Sequence, residues 1–412
     1  MGGASRAPHV GKISTFAALS VRNYRFYWFG LVCYVLGHRA EYVTFAWMTW
    51  EITRDPLALG YLGVAQGVPL VVFQLWGGVL ADRVNRLRLL VFTQLFTAIT
   101  LTLAFGLTVF GQIRLPSLLA LAAASSVFRA FDEPARLSLV PRLIDRARLP
   151  NAIALGSIPW QAGRMIGPSL TGVLIAAFGG AVGFAIATAA SYLALAFYVQ
   201  VRVAGDPPAR GPRHALREFV EGLAAVGRNF VFTALIGLAL FNSMFGMSYV
   251  TLLPIFADTY FHAGSIGYGL LNAAQGVGSL FGTLTIATIA HRILRRGRVV
   301  LVVASCVGLE LMVFALAPSM WLALPVLAVL GFSHSFYLTQ VSTFIQQNVA
   351  EEVRGRVLSL YSLCWNMMPL GGLLGGTLAA AVSARFAIAV GGFMVAANAL
   401  LLLTSRRLRA LE

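Results

Sequence analysis

GGVLADRVNRLRLL, residues 77–90, sets one acid and three arginines (Asp82, Arg83, Arg86 and Arg88) between two oily runs. Apolar residues dominate 58–81 before it and 88–110 after it. Each run reaches the ~20 residues that a helix, rising about 1.5 Å per residue, needs to cross a hydrocarbon core roughly 30 Å thick. A short charged turn between two such runs reads as a loop at a membrane surface.

Outward from that loop the pattern recurs. Apolar runs lie near 24–50, 116–138, 151–177, 181–201, 229–256, 265–289, 299–317, 320–346, 355–381 and 385–405, making twelve with the first two. At 58% hydrophobic and 11% charged residues, a chain of 412 cannot hide its apolar side chains in one soluble core. Lipid offers backbone groups no partner, so the expected fold is an all-α integral membrane protein of twelve transmembrane helices.

A net charge of +16 raises the question of nucleic acid. That reading needs basic residues gathered on one solvated face. Here 25 of the 31 Lys and Arg fall in or beside the termini and alternate loops, against Arg54, Arg114 and Arg385 in the opposite ones. The positive-inside rule then predicts cytoplasmic termini and an inner-membrane, multi-pass protein, with no nucleic-acid partner. The N-terminus shows no cleavable signal pattern, so the first span is expected to act as the insertion signal. Cys33, Cys306 and Cys364 lie singly in apolar runs, which points to buried hydrophobes and no metal.

The longest break in hydrophobicity, 203–228, starts Pro- and Gly-rich and ends as an amphipathic surface helix. It divides the chain into six-helix halves at 1–202 and 229–412. The halves repeat: AQGV at 65–68 recurs at 274–277, Ala81-Asp82-Arg83 meets Ala290-His291-Arg292 at the same spacing, and Ser157 and Trp160 pair with Ser362 and Trp365. Such duplication predicts a substrate site between the halves at mid-membrane depth.

Gly78, Leu80, Ala81, Asp82, Arg83 and Arg86 match in order the signature loop of the major facilitator superfamily, which the chain resembles from residue 20 to 405. Asn85 stands where that family has glycine and should tolerate a left-handed turn. The resemblance implies that Asp82 contacts the start of span eleven, near Arg354–Arg356. Gly163, Gly167, Pro168 and Gly172 in span five are similar to a motif of the family's proton-driven exporters, and small residues four apart also serve ordinary helix packing. The stretch FDEPARLSLVPRLIDRARLPNAIAL resembles the family's siderophore-exporting branch.

Ionisable residues at mid-depth are costly and default to functional candidates. Arg39, Glu41, Arg129, Arg164, Glu310 and His334 each lie roughly 16 to 26 Å along a span at about 1.5 Å per residue. The resemblance implies a cavity lined by spans one, four, seven and ten. Proton coupling is therefore expected at Glu41, Arg129, His38 and His334, with Glu41 as the leading acid or, alternatively, a fixed ion-pair partner. Arg129 could instead pair locally with Asp132 and Glu133. The expected substrate cavity takes in Tyr34, Phe45 and Met48 on the face of His38 and Glu41, with Arg164, Asn242, Phe245, His334 and Trp365. Arg39 points off that face and reads as an interhelical ion-pair partner, and Glu310 as packing against a neighbouring helix.

Transport must run on a gradient, because Lys12, the one lysine, precedes Ile13 and cannot build a phosphate-cradling loop. Ser333-His334-Ser335 cannot converge as a triad, since helix neighbours point about 100° apart. No cofactor is expected. The function implied is a monomeric secondary transporter exporting small amphipathic molecules of drug or siderophore type by proton antiport. An importer or facilitator of the same fold is the alternative, and a membrane-embedded sensor or enzyme a distant one. Substrate charge stays open: three mid-depth arginines suit an anion, and Glu41 with aromatics suits a cation.

Overall fold

A computed structural model describes residues 16–203, 223–224, 226–289, 295–349, 357–358, 360–361, 363–364 and 367–409, except for the side chains of 75–83. The apolar runs become helices α1 (Arg22–Thr53), α2 (Pro56–Arg83), α3 (Arg86–Val109), α4 (Leu115–Leu143), α5 (Leu149–Phe178) and α6 (Gly180–Tyr198). After the linker come α7 (Phe230–Tyr260), α8 (Gly264–Ile289), α9 (Arg296–Ala315), α10 (Met320–Asn348), α11 (Met368–Ala381) and α12 (Ala384–Leu403). Nine of these are long and apolar enough to cross a membrane; α11 is shorter, and the charged or Gly/Pro-broken α1 and α5 fall outside by composition. The linker residues 204–222, His291, Arg354–Arg356, Ser362 and Trp365 lie outside the described residues.

Local chemistry sets the ends. Asn85 does not take the left-handed turn expected of it: its φ of −61° is extended, and its side chain accepts from the Arg88 N–H to cap α3. A short side-chain acceptor at the N-cap satisfies one of the unpaired first-turn N–H groups, which Asn does here. Gly179, at φ +83°, turns the chain between α5 and α6. Helix α7 carries two π-helical turns, Asn242–Gly246 and Phe256–Tyr260, that the apolar pattern does not announce.

Packing repeats with a shift of six helices. α1 meets α5 and α6, α2 meets α4, and α3 meets α4 and α6; likewise α7 meets α11 and α12, α8 meets α10, and α9 meets α10 and α12. Across the halves, α2 packs on α11 and α5 on α8. Glycine permits both crossings. A Cβ on Gly269 would lie 2.6 Å from the Pro168 carbonyl and 3.3 Å from the Gly172 Cα; one on Gly376 would lie 2.8 Å from the Pro56 carbonyl and 3.2 Å from the Gly60 Cα. The AQGV glycines serve the same seams, Gly67 against Pro369 and Gly276 against the Arg164 carbonyl.

The two ends of the bundle differ. The turns after α2 and α4 carry the arginines and mark the basic end. At the opposite end Asp258 of α7 pairs with Arg54 and accepts from Trp50 Nε1 at 3.0 Å, tying α1 to α7. Beneath that latch Trp47 stacks on Tyr268 of α8, with centroids 6.2 Å apart.

Candidate functional site

Between the halves lies a cavity of about 660 Å³. Its lining starts at Tyr42, Pro168 and Val250, inside the latched end, and runs toward the basic end as far as Arg136 and Leu338. Helices α1, α2, α4, α5, α7, α8, α10 and α11 all contribute. Such a volume suits a small organic molecule.

On the α1–α4 wall, Ser125 Oγ donates to Glu41 Oε1 at 2.5 Å, and Arg129 Nη1 donates to His38 Nδ1 at 2.7 Å. Arg129 Nη2 also donates to Ser126 Oγ at 3.1 Å. A guanidinium has no acceptor, so His38 Nδ1 is bare in this arrangement and its ring proton sits on Nε2. Glu41 Oε2 lies 3.7 Å from that same Nδ1. His38 therefore stands between a cation and a carboxylate, and a proton placed on Nδ1 would exchange its partner Arg129 for Glu41.

Asp132 belongs to another pair. Arg136 holds it through Nε at 2.5 Å and Nη2 at 3.2 Å, donates to the Tyr198 hydroxyl, and lies 3.6 Å over the Tyr34 ring. Thr93 Oγ1 adds a 3.3 Å contact to Asp132. With Asp132 and Arg136 only 3% and 5% exposed, this is a desolvated bidentate pair. The alternative reading, in which Arg129 pairs locally with Asp132, fails at Asp132: Arg136 sits one helical turn beyond Asp132 and takes it.

The expectation for Arg39 also changes. Among the described residues it has no carboxylate partner; its guanidinium lies 5.9 Å from the Trp160 ring centre, its Nε is buried without a hydrogen bond, and it lines the cavity. Span five makes room for it. A Cβ on Gly167 would sit 2.7 Å from the Arg39 Cβ, and one on Gly163 would sit 2.5 Å from Val35 Cγ1. Gly172 serves the seam with α8, where a Cβ would collide with the Ser265 carbonyl.

Of the residues expected in the cavity, Tyr34, His38, Arg129, Arg164 and His334 line it, together with Pro168 of the span-five motif. Arg164 Nη1 donates to Ser279 Oγ of α8 at 3.2 Å, and Asn242 Nδ2 lies 2.9 Å from His334 Nε2. Asn242 thus backs His334 from outside the lining, and Phe245 packs on Phe241 with centroids 4.7 Å apart. Phe45 and Met48 are corrected: Phe45 is fully buried against Phe184 of α6, and Met48 lies where a Cβ on Gly180 would be. Glu41 is buried one layer behind the lining. Ser333 donates to Glu310 Oε1 at 2.7 Å, which joins α9 to α10. Gly78, Asp82 and Arg83 fall in the last turns of α2, with their side chains outside the described residues; Arg86 opens α3 and reaches the Ser138 carbonyl at 3.5 Å.

The sequence reading missed Tyr42, Gln66, Trp160 and Gln275 as lining residues. The signal for two of them was the repeat itself, since Gln66 and Gln275 are the glutamines of the two AQGV tetrapeptides. Trp160 stands four residues before Arg164, on the same face of α5.

Residues 13–412 match the transmembrane secretion effector family. The staphyloferrin A transporter of Staphylococcus aureus is 26% identical over 353 residues, covering 82% of this chain and 85% of that protein. The enterobactin exporter EntS of Citrobacter koseri is 31% identical over 373 residues, covering 88% and 85%. Among solved structures, an inward-facing, unoccupied bacterial homologue of the human lysosomal transporter Spinster superposes with a TM-score of 0.70 at 16% identity, covering 94% of this chain and 96% of that one. A POT family transporter in complex with 5-aminolevulinic acid gives 0.75 at 11% identity, with 94% and 96% covered, a likeness of fold. The chain is a multi-pass membrane transporter rather than an enzyme, and it belongs to the transmembrane secretion effector family of the major facilitator superfamily, in the branch of the enterobactin exporter.

Proposed function

We propose that this transporter exports a small amphipathic organic molecule, of the siderophore or drug type, by proton antiport with alternating access. The observation that carries the reading is one cavity lined by both halves, latched at the end away from the arginines and extending toward the basic end. The positive-inside rule makes the basic end cytoplasmic, with both termini on that side of the bacterial inner membrane, so the cavity faces the compartment an exporter loads from. The relatives, one an enterobactin exporter and one a staphyloferrin A transporter, support the siderophore class. Two six-helix halves, 1–202 and 229–412, rock about the glycine seams, and a monomer suffices because the site is completed within one chain.

Glu41 is the coupling acid. It lies off the cavity but one histidine away from it, so His38 can pass a proton between the cavity and the carboxylate, while Ser125 holds the carboxylate in place. Arg129 competes for His38 Nδ1, which ties the protonation state of the pair to the position of α4. The test is purified protein in liposomes under an imposed pH gradient, with a radiolabelled siderophore. Uphill movement opposite to the proton flux supports the reading. Accumulation that ignores the gradient removes the antiport, and accumulation along the proton flux reverses the direction.

A further inference from the structure

Among the described residues, the deep end of the cavity carries two arginines that no carboxylate contacts. Arg39 of α1 and Arg164 of α5 both line it. Among the described residues neither meets a carboxylate: Arg164 has Ser279 Oγ at 3.2 Å, and Arg39 has the Trp160 ring and an unbonded, buried Nε. The acids nearby are committed or lie elsewhere. Asp132 is held bidentately by Arg136, and Glu41 is held by Ser125 behind the wall; Glu133 lines the same cavity but stands one helical turn beyond Arg129, at the basic end, so two lining acids face four lining arginines, Arg39, Arg129, Arg136 and Arg164. Arg129 is spent on His38 and Ser126.

Two guanidiniums facing one partly desolvated space repel one another and lack counter-charge, a state a protein keeps only when something else supplies the charge. Their planar donor forks fit carboxylate-like oxygen pairs. Around them stand Trp160, Tyr34 and Tyr42, with the amides of Gln66 and Gln275. Apolar ring faces and amides would contact the body of an aromatic or oxygen-rich ligand. Gly163 and Gly167 permit the close α1–α5 approach at which the Arg39 stem fits, so the arginine is seated by the backbone.

We infer that Arg39 and Arg164 form a receptor for two acidic oxygen groups of the transported molecule, which is an organic dianion and not a cation. The inference rests on the transporter reading and deepens it by fixing the charge class of the substrate. The probes are phthalate, a rigid aromatic dianion, its uncharged dimethyl ester, and benzyltrimethylammonium. Binding to the purified full chain is measured by calorimetry and by thermal shift, with no pH gradient present.

Phthalate should bind while the ester and the ammonium ion bind at least tenfold more weakly. Arg164→Gln and Arg39→Gln should each weaken phthalate by about tenfold or more, as loss of a charged hydrogen-bonding partner does, and Arg39→Lys should recover part of the loss. The inference is overturned if phthalate shows no binding up to roughly 10 mM, if the ester or the ammonium ion binds as well, or if both glutamine variants keep wild-type affinity. Should a variant fail to fold, the wild-type ranking of the three probes still decides. Because binding is read without a gradient, selective phthalate binding beside failed uphill transport would strike the antiport reading and leave this one standing.

Discussion

Gly269→Ala should tip the transporter toward the state open at the end away from the arginines. The added Cβ would lie 2.6 Å from the Pro168 carbonyl oxygen, 3.1 Å from the Ser169 Cα and 3.3 Å from the Gly172 Cα. All three are backbone atoms, so no rotamer change relieves the contact. α5 and α8 must separate by about 0.8 Å to bring 2.6 Å out to an ordinary 3.4 Å. Overpacking of this kind costs about 1–3 kcal/mol. In alternating access that cost falls only on the conformation in which the two helices touch here. The ratio of states then moves by about 5- to 150-fold.

The assay places a cysteine at Gln275 in the cavity, with Cys33, Cys306 and Cys364 replaced by serine. A membrane-impermeant thiol reagent is applied from the side away from the arginines, and the labelling rate follows the population open to that side. Gly106→Ala is the control, because a Cβ there meets nothing within 4 Å. A rise of at least fivefold for Gly269→Ala, with the control unchanged, is the expected result. Unchanged labelling in a Gly269→Ala protein of wild-type thermal stability would refute the role of the seam.

Asp258→Asn should act in the same direction but more weakly, under about fivefold, because the Arg54 side chain it pairs with is 54% exposed and pairs of that kind are worth about 0.2–1 kcal/mol; the same labelling assay reads it. Asp132→Asn leaves Arg136 buried without its carboxylate and should cost about 3–5 kcal/mol, read as a lower thermal midpoint in detergent, and a loss below about 1 kcal/mol would show the pair to be unimportant. Glu41→Gln keeps an acceptor for Ser125 and should fold and bind substrate, yet lose transport driven by a proton gradient while retaining downhill exchange; a variant that still concentrates substrate would remove Glu41 from coupling. Cysteines at 85 and 294 should react only from the cytoplasm and one at 113 only from outside, and labelling of residue 85 in intact cells would reverse the proposed topology.

Periodicity and charge placement were enough to read the helices, and the Gly-Leu-Ala-Asp-Arg loop was enough to read the family. The cavity was legible only in part. The stripe Tyr34, His38, Glu41, Phe45, Met48 follows one face of α1, yet the cavity ends at Tyr42, and beyond it α6 closes over Phe45 and Met48. Depth along a span locates a residue in the membrane and leaves open which neighbour covers it. Arg39 departs from its expected ion-pair role for the converse reason. It stands about 100° around the helix from His38, but the cavity is wide enough that α1 shows it both directions. Among the charges of α4, spacing allowed Arg129 to reach Asp132 and allowed Asp132 to reach Arg136. Tyr198, donated to by Arg136 from α6, and Tyr34 beneath its guanidinium decide between them, and neither is near α4 in sequence.

Span five shows how one motif can serve packing and, under the proposed function, export as well. As a packing pattern, small residues four apart let helices approach, and Gly163 with Gly167 does this for α1 while Gly172 does it for α8. As the exporter motif proposed above, the same stretch would join substrate to conformational change. Arg39 is seated at Gly167, the Arg164 carbonyl lies 2.7 Å from where a Cβ on Gly276 would be, and Pro168 and Gly172 face Gly269. A ligand drawing on Arg164 would therefore act on a helix that also forms the seam between the halves. The side chain that would hold the ligand also donates to Ser279 across that seam, so occupancy of the cavity and separation of α5 from α8 compete for one guanidinium. A site whose ligand-holding side chain itself spans the seam would need no relay of intermediate residues to link binding with rocking.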